Sequence, residues 1–182
     1  MAGRYEIRFS GAGGQGLILA GVIMAEAASI YQGIQAVQSQ SYGPEARGGA
    51  SKSEVIISDD IIDYPKITKC DALLALTQEA CDKYSHDLKD GGVLLIDSDL
   101  VLREPVGNFK VTKFNITNTA KNDVGREIVT NIVALGAMVA LTGVVTKENA
   151  EKAVLSRVPE AFLELNKKAF NLGYEKAMAA KS

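Results

Sequence analysis

Cysteine, histidine and tryptophan are nearly absent from this chain of 182 residues, which has two cysteines, one histidine and no tryptophan. Cys70 and Cys81 lie eleven residues apart, and this spacing fits neither a disulfide framework nor a zinc-binding pair. Because an iron–sulfur cluster is normally held by four cysteine thiolates, two cannot hold one alone. His86 stands in the polar segment DKYSHDL, which indicates a solvent-facing side chain. The sequence therefore predicts a reduced, cytoplasmic protein with no metal site of its own.

Long apolar runs and regions of one charge are also missing. The longest apolar candidate, IVTNIVALGAMVALTGVV, is interrupted by Thr, Asn and Gly, so it fits a buried core helix better than a membrane span. The first residues, MAGRYEIRFSG, lack the apolar segment of a signal peptide. The net charge is −2 and lysines are interleaved with acidic residues, so no basic surface for nucleic acid is expected. We predict neither a membrane nor a nucleic-acid partner.

Segments typical of strands alternate with segments typical of helices, and from residue 119 onward only helical segments follow. We therefore predict an α/β fold: a single Rossmann-like domain over residues 1–182, with a mostly parallel sheet flanked by helices and a helical C-terminal third. The predicted strands cover residues 5–11, 34–40, 53–58, 71–76, 93–97 and 109–115. The predicted helices cover residues 15–31, 78–88, 119–141, 146–158 and 160–181. The apolar face of the last helix is predicted at Phe162, Leu165, Ala169, Leu172 and Met178.

A glycine cluster, FSGAGGQG, joins the first predicted strand to the first predicted helix. Gly11 allows a tight turn, and Gly13 and Gly14 leave room for another group to approach the backbone. Gly16 would let the helix pack closely against the strand. The start of the helix presents free N–H groups and the positive end of its dipole, which favour an anion. We expect the N–H groups of Gly13, Gly14 and Gly16 to bind an anion, with Gln15 as a polar contact.

The spacing Gly-x-Gly-x-x-Gly is that of a dinucleotide-binding turn, but a second feature of such sites is missing. A nicotinamide dinucleotide site normally has Asp or Glu at the end of the second strand, where it holds the ribose hydroxyls. That region reads IQAVQSQSYGPEARGG, with Gln and Ser in place of the carboxylate. Arg47 could hold a 2′-phosphate, although the Gly-Pro pair before it argues against a regular strand end. A stand-alone NAD(P)-binding reductase stays open as an alternative, as does a ligand-free scaffold whose glycines serve only close packing.

A second irregular loop, SQSYGPEARGGASKS, follows the second predicted strand. It carries an aromatic ring at Tyr42, a carboxylate at Glu45 and a guanidinium at Arg47. Because ligands bind at the carboxyl ends of strands in open α/β sheets, both glycine-containing loops are expected to face a ligand or a partner there. An ion pair between Glu45 and Arg47 that only ties down the loop is equally compatible with the sequence.

Together the motifs GxGGQG and YGPExRGG resemble the gamma subunit of the 2-oxoacid:ferredoxin oxidoreductases. The resemblance extends to CDALLAL, to NIVALGAM and to residues 166–173, and so covers nearly the whole chain; only LVLREPVGNFKVTKFNITNTA lacks a matching motif. It implies a subunit that is not active alone. In that family thiamine diphosphate with Mg²⁺ decarboxylates the 2-oxoacid, iron–sulfur clusters pass electrons to ferredoxin, and coenzyme A accepts the acyl group. The chain itself has no Gly-Asp-Gly signature for thiamine diphosphate.

The resemblance also implies the partners, which are alpha, beta and ferredoxin-like delta subunits. The gamma chain is associated with assembly and with the coenzyme A end of the site, and 2-oxoglutarate is the expected oxoacid. No catalytic residue is expected in this chain. The residues expected to face coenzyme A are Gly11, Gly13, Gly14, Gln15, Gly16, Tyr42, Glu45 and Arg47.

Overall fold

Six strands form one sheet with β1 near its centre, in the order β2-β3-β1-β4-β5-β6. The computed structural model describes residues 3–41 and 50–181. The strands are β1 (Arg4–Ala12), β2 (Gln35–Ser41), β3 (Ala50–Ser58), β4 (Cys70–Ala75), β5 (Leu88–Asp97) and β6 (Lys110–Phe114). The helices are α1 (Leu17–Glu26), α2 (Gln78–Tyr84), α3 (Ile116–Asn118), α4 (Thr130–Thr142), α5 (Lys147–Arg157) and α6 (Leu163–Ala180). The predicted α/β fold and the helical C-terminal third are confirmed.

The sheet is mixed, because β3 runs against the other five strands. β1, β4, β5 and β6 pair in parallel, whereas β3 pairs in antiparallel with both β1 and β2. Only residues 42–49 separate β2 from β3, and a parallel connection needs a crossover of a dozen residues or more. The second and third strands therefore pair in antiparallel as neighbours, where the sequence pattern alone had suggested a parallel arrangement.

Each face of the sheet carries its own apolar core. The larger core lies under α1, α4, α5 and α6 and includes Ile7 and Phe9 of β1. The smaller core lies under α2 and includes Leu73 and Leu94. Alternate residues of each strand point to opposite faces, which divides the strands between the two cores.

The helix predicted over residues 119–141 is broken into pieces. A wide helical turn over Thr119–Val124 ends at Gly125, which has φ 99°, and a tight turn over Glu127–Val129 precedes α4. A glycine in the left-handed conformation commonly ends a helix, so the single continuous helix was wrong. The break supplies an irregular segment, residues 125–129, that contributes to the candidate site described below.

The buried face of α6 differs from the predicted apolar stripe. Phe162, just before the helix, is 48% exposed and Met178 is 50% exposed. The residues that α6 buries are Asn166, Ala169, Phe170, Gly173 and Ala177. Most of them are small, because α6 packs closely against α4. The sequence prediction looked for large apolar side chains at helical spacing and therefore missed these small contact residues.

Both cysteines are buried in the core under α2. Burial raises the pKa of the Cys70 thiol to about 12 and that of Cys81 to about 11, because the thiolate is poorly solvated there.

We expect neither thiol of the folded chain to react with Ellman's reagent at about pH 8, and both to react after unfolding. The two thiols ionise at a lower pH in the unfolded chain than in the folded chain. The neutral buried thiols therefore contribute fully to the stability of the fold below about pH 9, and this contribution is lost as the pH rises towards 12. Rapid labelling of one thiol in the folded chain would contradict this.

Candidate functional site

The glycine cluster forms an open turn at the carboxyl end of β1. Gly13 and Gly14 are exposed, and no atom of the described residues lies within 4 Å of the position where a Cβ of either residue would stand. Gly14 has φ 88°, and Gly16, the N-cap of α1, has φ 73°. No side chain of the described residues caps the helix, so its first N–H groups are left open to another group. The structure thus has the local geometry that an anion requires at this turn.

Gln15 holds the turn together from inside. Its side-chain oxygen accepts a hydrogen bond from the backbone N–H of Ala12 at 2.7 Å. The same oxygen occupies the space that a Cβ at Gly11 would need, and Gly11 itself is buried. Gly11 and Gln15 therefore stabilise the turn on its buried side, while Gly13 and Gly14 form its exposed surface.

Gly16 packs against α4 and not against a strand. The amide nitrogen of Asn131 lies 2.6 Å from the position of a Cβ at Gly16 and donates to the Gly16 carbonyl at 3.2 Å. The Asn131 oxygen accepts from the backbone N–H of Ile132. Close packing of α1 on the sheet is provided instead by Gly21, whose Cβ would overlap Ser53 of β3. Asn131 thereby fixes the start of α1 to the start of α4.

Two cavities meet at the turn, and both are lined by Gly14 and Ile128. The first, the polar cavity, has a volume of about 310 Å³ and is lined by Gly14, Gln15, Thr117, Glu127, Ile128 and Thr130. The second, the apolar groove, has a volume of about 390 Å³, and its lining includes Gly16, Leu19, Arg126, Phe162, Leu165 and Asn166. The exposed turn therefore borders both a polar and a largely apolar space, a combination common in ligand sites.

Opposite charges line the two cavities. Arg126 is one of the residues that line the apolar groove, and Glu127 is one of those that line the polar cavity. Neither side chain forms an ion pair or a hydrogen bond with the part of the chain that the structure describes. The hydroxyl of Thr117 is buried without a partner there, while its backbone N–H donates to Asp97 at 2.7 Å. An anionic group would consequently be favoured on the groove side of Gly14 and opposed on the Glu127 side.

Tyr42, Glu45 and Arg47 lie outside the described residues. The strand ends on either side of them are described: Ser41 pairs with Lys52, and Ala50 pairs with Ala12 next to the glycine turn. Two side chains of α2 hold Ala50, since its N–H donates to Glu79 and its carbonyl accepts from the Tyr84 hydroxyl. The strand ends that lead into the two loops therefore lie at the same edge of the sheet, which supports the prediction that the loops meet there.

The sheet order argues against a dinucleotide site. In a dinucleotide-binding fold the second strand lies beside the first, so that its terminal carboxylate reaches the ribose. Here β3 lies between β1 and β2, which separates their ends by about 10 Å at the usual strand spacing. The end of β2 carries Gln40 and Ser41 and no carboxylate.

Sequence reasoning missed Arg126, Ile128, Asn131 and Phe162 as residues around the turn. They come from the segment 125–131 and from the approach to α6, more than 100 residues after the glycines. Gly125 was the available signal, because it interrupts an otherwise helical pattern. No helix within the described ranges is long and apolar enough to cross a membrane, and those ranges hold no cluster of three metal-binding side chains.

Comparisons with known proteins agree over nearly the whole chain. The model of the pyruvate ferredoxin/flavodoxin oxidoreductase family matches residues 6–176. The 2-oxoglutarate synthase subunit KorC of Methanocaldococcus jannaschii is 54% identical over 176 residues, which cover 96% of this chain and 94% of that relative.

Two solved structures extend the agreement to the fold. The gamma subunit of a keto/oxoacid ferredoxin oxidoreductase from Geobacter sulfurreducens PCA is 81% identical, with a TM-score of 0.94 and complete coverage of both chains. The pyruvate oxidoreductase subunit PORC from Thermotoga maritima is 27% identical, with a TM-score of 0.80 over 95% of this chain and 96% of that one. These matches confirm the resemblance to the gamma subunit, and none of them supports a stand-alone NAD(P)-binding reductase. The chain therefore belongs to the pyruvate ferredoxin/flavodoxin oxidoreductase family.

Proposed function

We propose that this chain is the gamma subunit of a cytoplasmic 2-oxoglutarate:ferredoxin oxidoreductase and forms the coenzyme A-facing part of its site. In this proposal residues 1–182 act as one gamma-type domain, with alpha, beta and ferredoxin-like delta subunits as its partners. The assembled enzyme converts a 2-oxoacid and coenzyme A to acyl-CoA and CO₂ and passes the electrons to ferredoxin. Relatives of nearly the same length that are named as 2-oxoglutarate synthase subunits support the choice of oxoacid.

The observation that carries the proposal is the open turn at Gly13 and Gly14, bordered by the apolar groove. The free N–H groups at the start of α1 and the Arg126 guanidinium can both contact a phosphate of coenzyme A. The groove offers Leu19, Phe162 and Leu165 to a less polar part of the same molecule. Glu127 opposes an anion in the polar cavity, so we assign the phosphates to the groove side of the turn.

Thiamine diphosphate with Mg²⁺ would supply the decarboxylation chemistry and iron–sulfur clusters the electron transfer, and we assign all of them to the partner chains. The two buried cysteines are too few to ligate a cluster of the usual type. The role left to this chain is to bind and orient coenzyme A. Tyr42, Glu45 and Arg47 are proposed to face the same ligand or the adjoining subunits, since Ala50 lies beside the turn.

Purification of the tagged chain from its native host under anaerobic conditions tests the assignment to a complex. We expect the other subunits to co-purify and the eluate to reduce ferredoxin when 2-oxoglutarate and coenzyme A are both supplied. Pyruvate and a branched-chain oxoacid in parallel assays decide the substrate. A chain that purifies alone and binds NAD(H) would contradict the proposal.

Arg126→Gln in the assembled enzyme tests the site. A hydrogen bond to a charged group contributes about 1.5 to 3 kcal/mol, so we expect the KM for coenzyme A to rise about tenfold or more. The KM for the oxoacid should be unchanged. Steady-state assays of ferredoxin reduction measure both constants.

Lys121→Gln is the matched control, because Lys121 is an exposed cation five residues away that does not line either cavity. Gly13→Ala is a second test: the position is open, so the fold should tolerate a methyl group that covers the turn. If both test variants assemble normally and leave the KM for coenzyme A unchanged, this chain does not bind coenzyme A here. A lower yield of assembled complex, with an unchanged KM in the fraction that does assemble, would identify a scaffold.

A further inference from the structure

β2 forms one edge of the sheet, and its outer side pairs with no strand of the described residues. β3 is its only pairing strand in the described part of the chain. Within the described residues, the backbone of β2 forms one hydrogen bond beyond that pairing, in which the Gln38 side chain donates to the Ser39 carbonyl at 3.2 Å. An edge strand with unpaired N–H and C=O groups is a template for pairing with another chain.

This edge lacks the features that usually protect a sheet edge. The strand QAVQSQS has no charged residue and no proline, and its seven residues pair with β3 without a bulge. The opposite edge, β6, carries Lys110 and Lys113. Soluble proteins commonly use lysine, proline and bulges to prevent edge pairing. The contrast between two edges of the same sheet indicates that β2 is covered.

The absence of charge extends beyond the strand. No Asp, Glu, Lys or Arg occurs over residues 27–44, although 23% of the whole chain is charged. Ile30, in the helical turn before β2, is 67% exposed. Depletion of charge around exposed apolar residues is typical of the centre of a protein interface.

We propose that a second copy of this chain covers this edge, with β2 pairing against β2 in antiparallel across a two-fold axis at Gln38. A two-fold interface must be complementary to itself. The axis at Gln38 pairs all seven residues and sets Gln35 opposite Ser41 and Val37 opposite Ser39, so no like charges meet. The two sheets then form one continuous sheet of twelve strands. This inference is independent of the coenzyme A site.

Light scattering of the purified full-length chain is the first measurement. The expected mass is twice the 19.4 kDa of one chain. Gln38→Lys should shift the chain to monomer, because two ammonium groups would then lie directly opposite each other. Val111→Lys, on the opposite edge, is the matched control and should leave the dimer intact. Circular dichroism checks that both variants fold.

Cysteine cross-linking tests the register. Opposite residues of an antiparallel pair have Cα atoms about 4.5 to 5.5 Å apart, within the range of a disulfide, so Gln38→Cys should link to its counterpart under mild oxidation. Gln35→Cys alone should not, since two such residues would lie about 20 Å apart. A mixture of Gln35→Cys and Ser41→Cys chains should link. The native cysteines are buried and do not interfere.

A monomeric chain without cross-links would overturn the proposal, as would a dimer that survives Gln38→Lys and does not link through Gln38→Cys. Monomers whose Gln38→Lys variant fails to enter the oxidoreductase complex would also overturn it and would assign the edge to a different subunit.

Discussion

Gly173→Ala is expected to destabilise the chain by about 3 kcal/mol or more, measured as the free energy of unfolding in urea. A Cβ at Gly173 of α6 would overlap the backbone carbonyl of Val133 in α4, and one at Gly136 of α4 would overlap the carbonyl of Phe170 in α6. Backbone atoms cannot rotate away as a side chain can, so the two helices would have to separate along their contact. Alanine gains about 1 kcal/mol over glycine in helix propensity, which is too little to offset that separation.

Lys168→Ala is the control for this prediction. Lys168 is exposed on the same helix, and the structure shows no ion pair for it with the described residues. The substitution also introduces one alanine and is expected to change the stability by less than about 0.5 kcal/mol. A Gly173→Ala chain as stable as the wild type would show that α4 and α6 can separate at little cost.

The two glycines also show what a family resemblance does and does not explain. NIVALGAM and residues 166–173 resemble motifs of the family, but no local pattern in the sequence explains why glycine stands there. The structure supplies the reason, because Gly136 and Gly173 let the backbones of α4 and α6 come into contact. Such contacts join residues 30 or more positions apart, and no local periodicity reports them.

Local patterns predicted the elements well where one principle dominates. The strand positions and the glycine turn follow from short-range periodicity and turn chemistry. The direction of β3 depends on pairing between strands, and the break at Gly125 competes with strong helical periodicity on either side. Residues 125–129 come close to the glycine turn only through tertiary packing, so the sequence alone could not predict this half of the candidate site.

A buried ion-pair network on β1 was equally hard to foresee, because a charged residue within a strand normally predicts a solvent-facing position. Arg8 is only 1% exposed and donates to Glu54 of β3 at 2.8 Å and to Asp87 at 2.6 Å. Lys52 also donates to Glu54, and the Arg8 guanidinium lies over the ring of Tyr84. Burial alone would lower the pKa of Arg8. The hydrogen bond to Asp87 and the charge of Glu54 raise it by more than burial lowers it, so the pKa is raised overall and the guanidinium stays charged. Through Tyr84 the network reaches Ala50, beside the glycine turn.

Arg8→Met is expected to destabilise the chain by about 3 kcal/mol, at the lower end of the cost of breaking a buried ion pair. Glu54 would keep Lys52 as a partner, and the Asp87 side chain is 41% exposed, so neither carboxylate would be stranded completely. Adding Glu54→Gln should recover part of the loss, because the variant then buries no carboxylate without its guanidinium.

Arg103→Ala is the matched control: its pair with Asp82 is exposed on both sides, and its loss should cost less than about 1 kcal/mol. Urea unfolding of the four chains measures these differences. If Arg8→Met and Arg103→Ala proved equally mild, the network would contribute no more than a surface pair, and Tyr84 and Glu79 alone would hold Ala50 beside the turn.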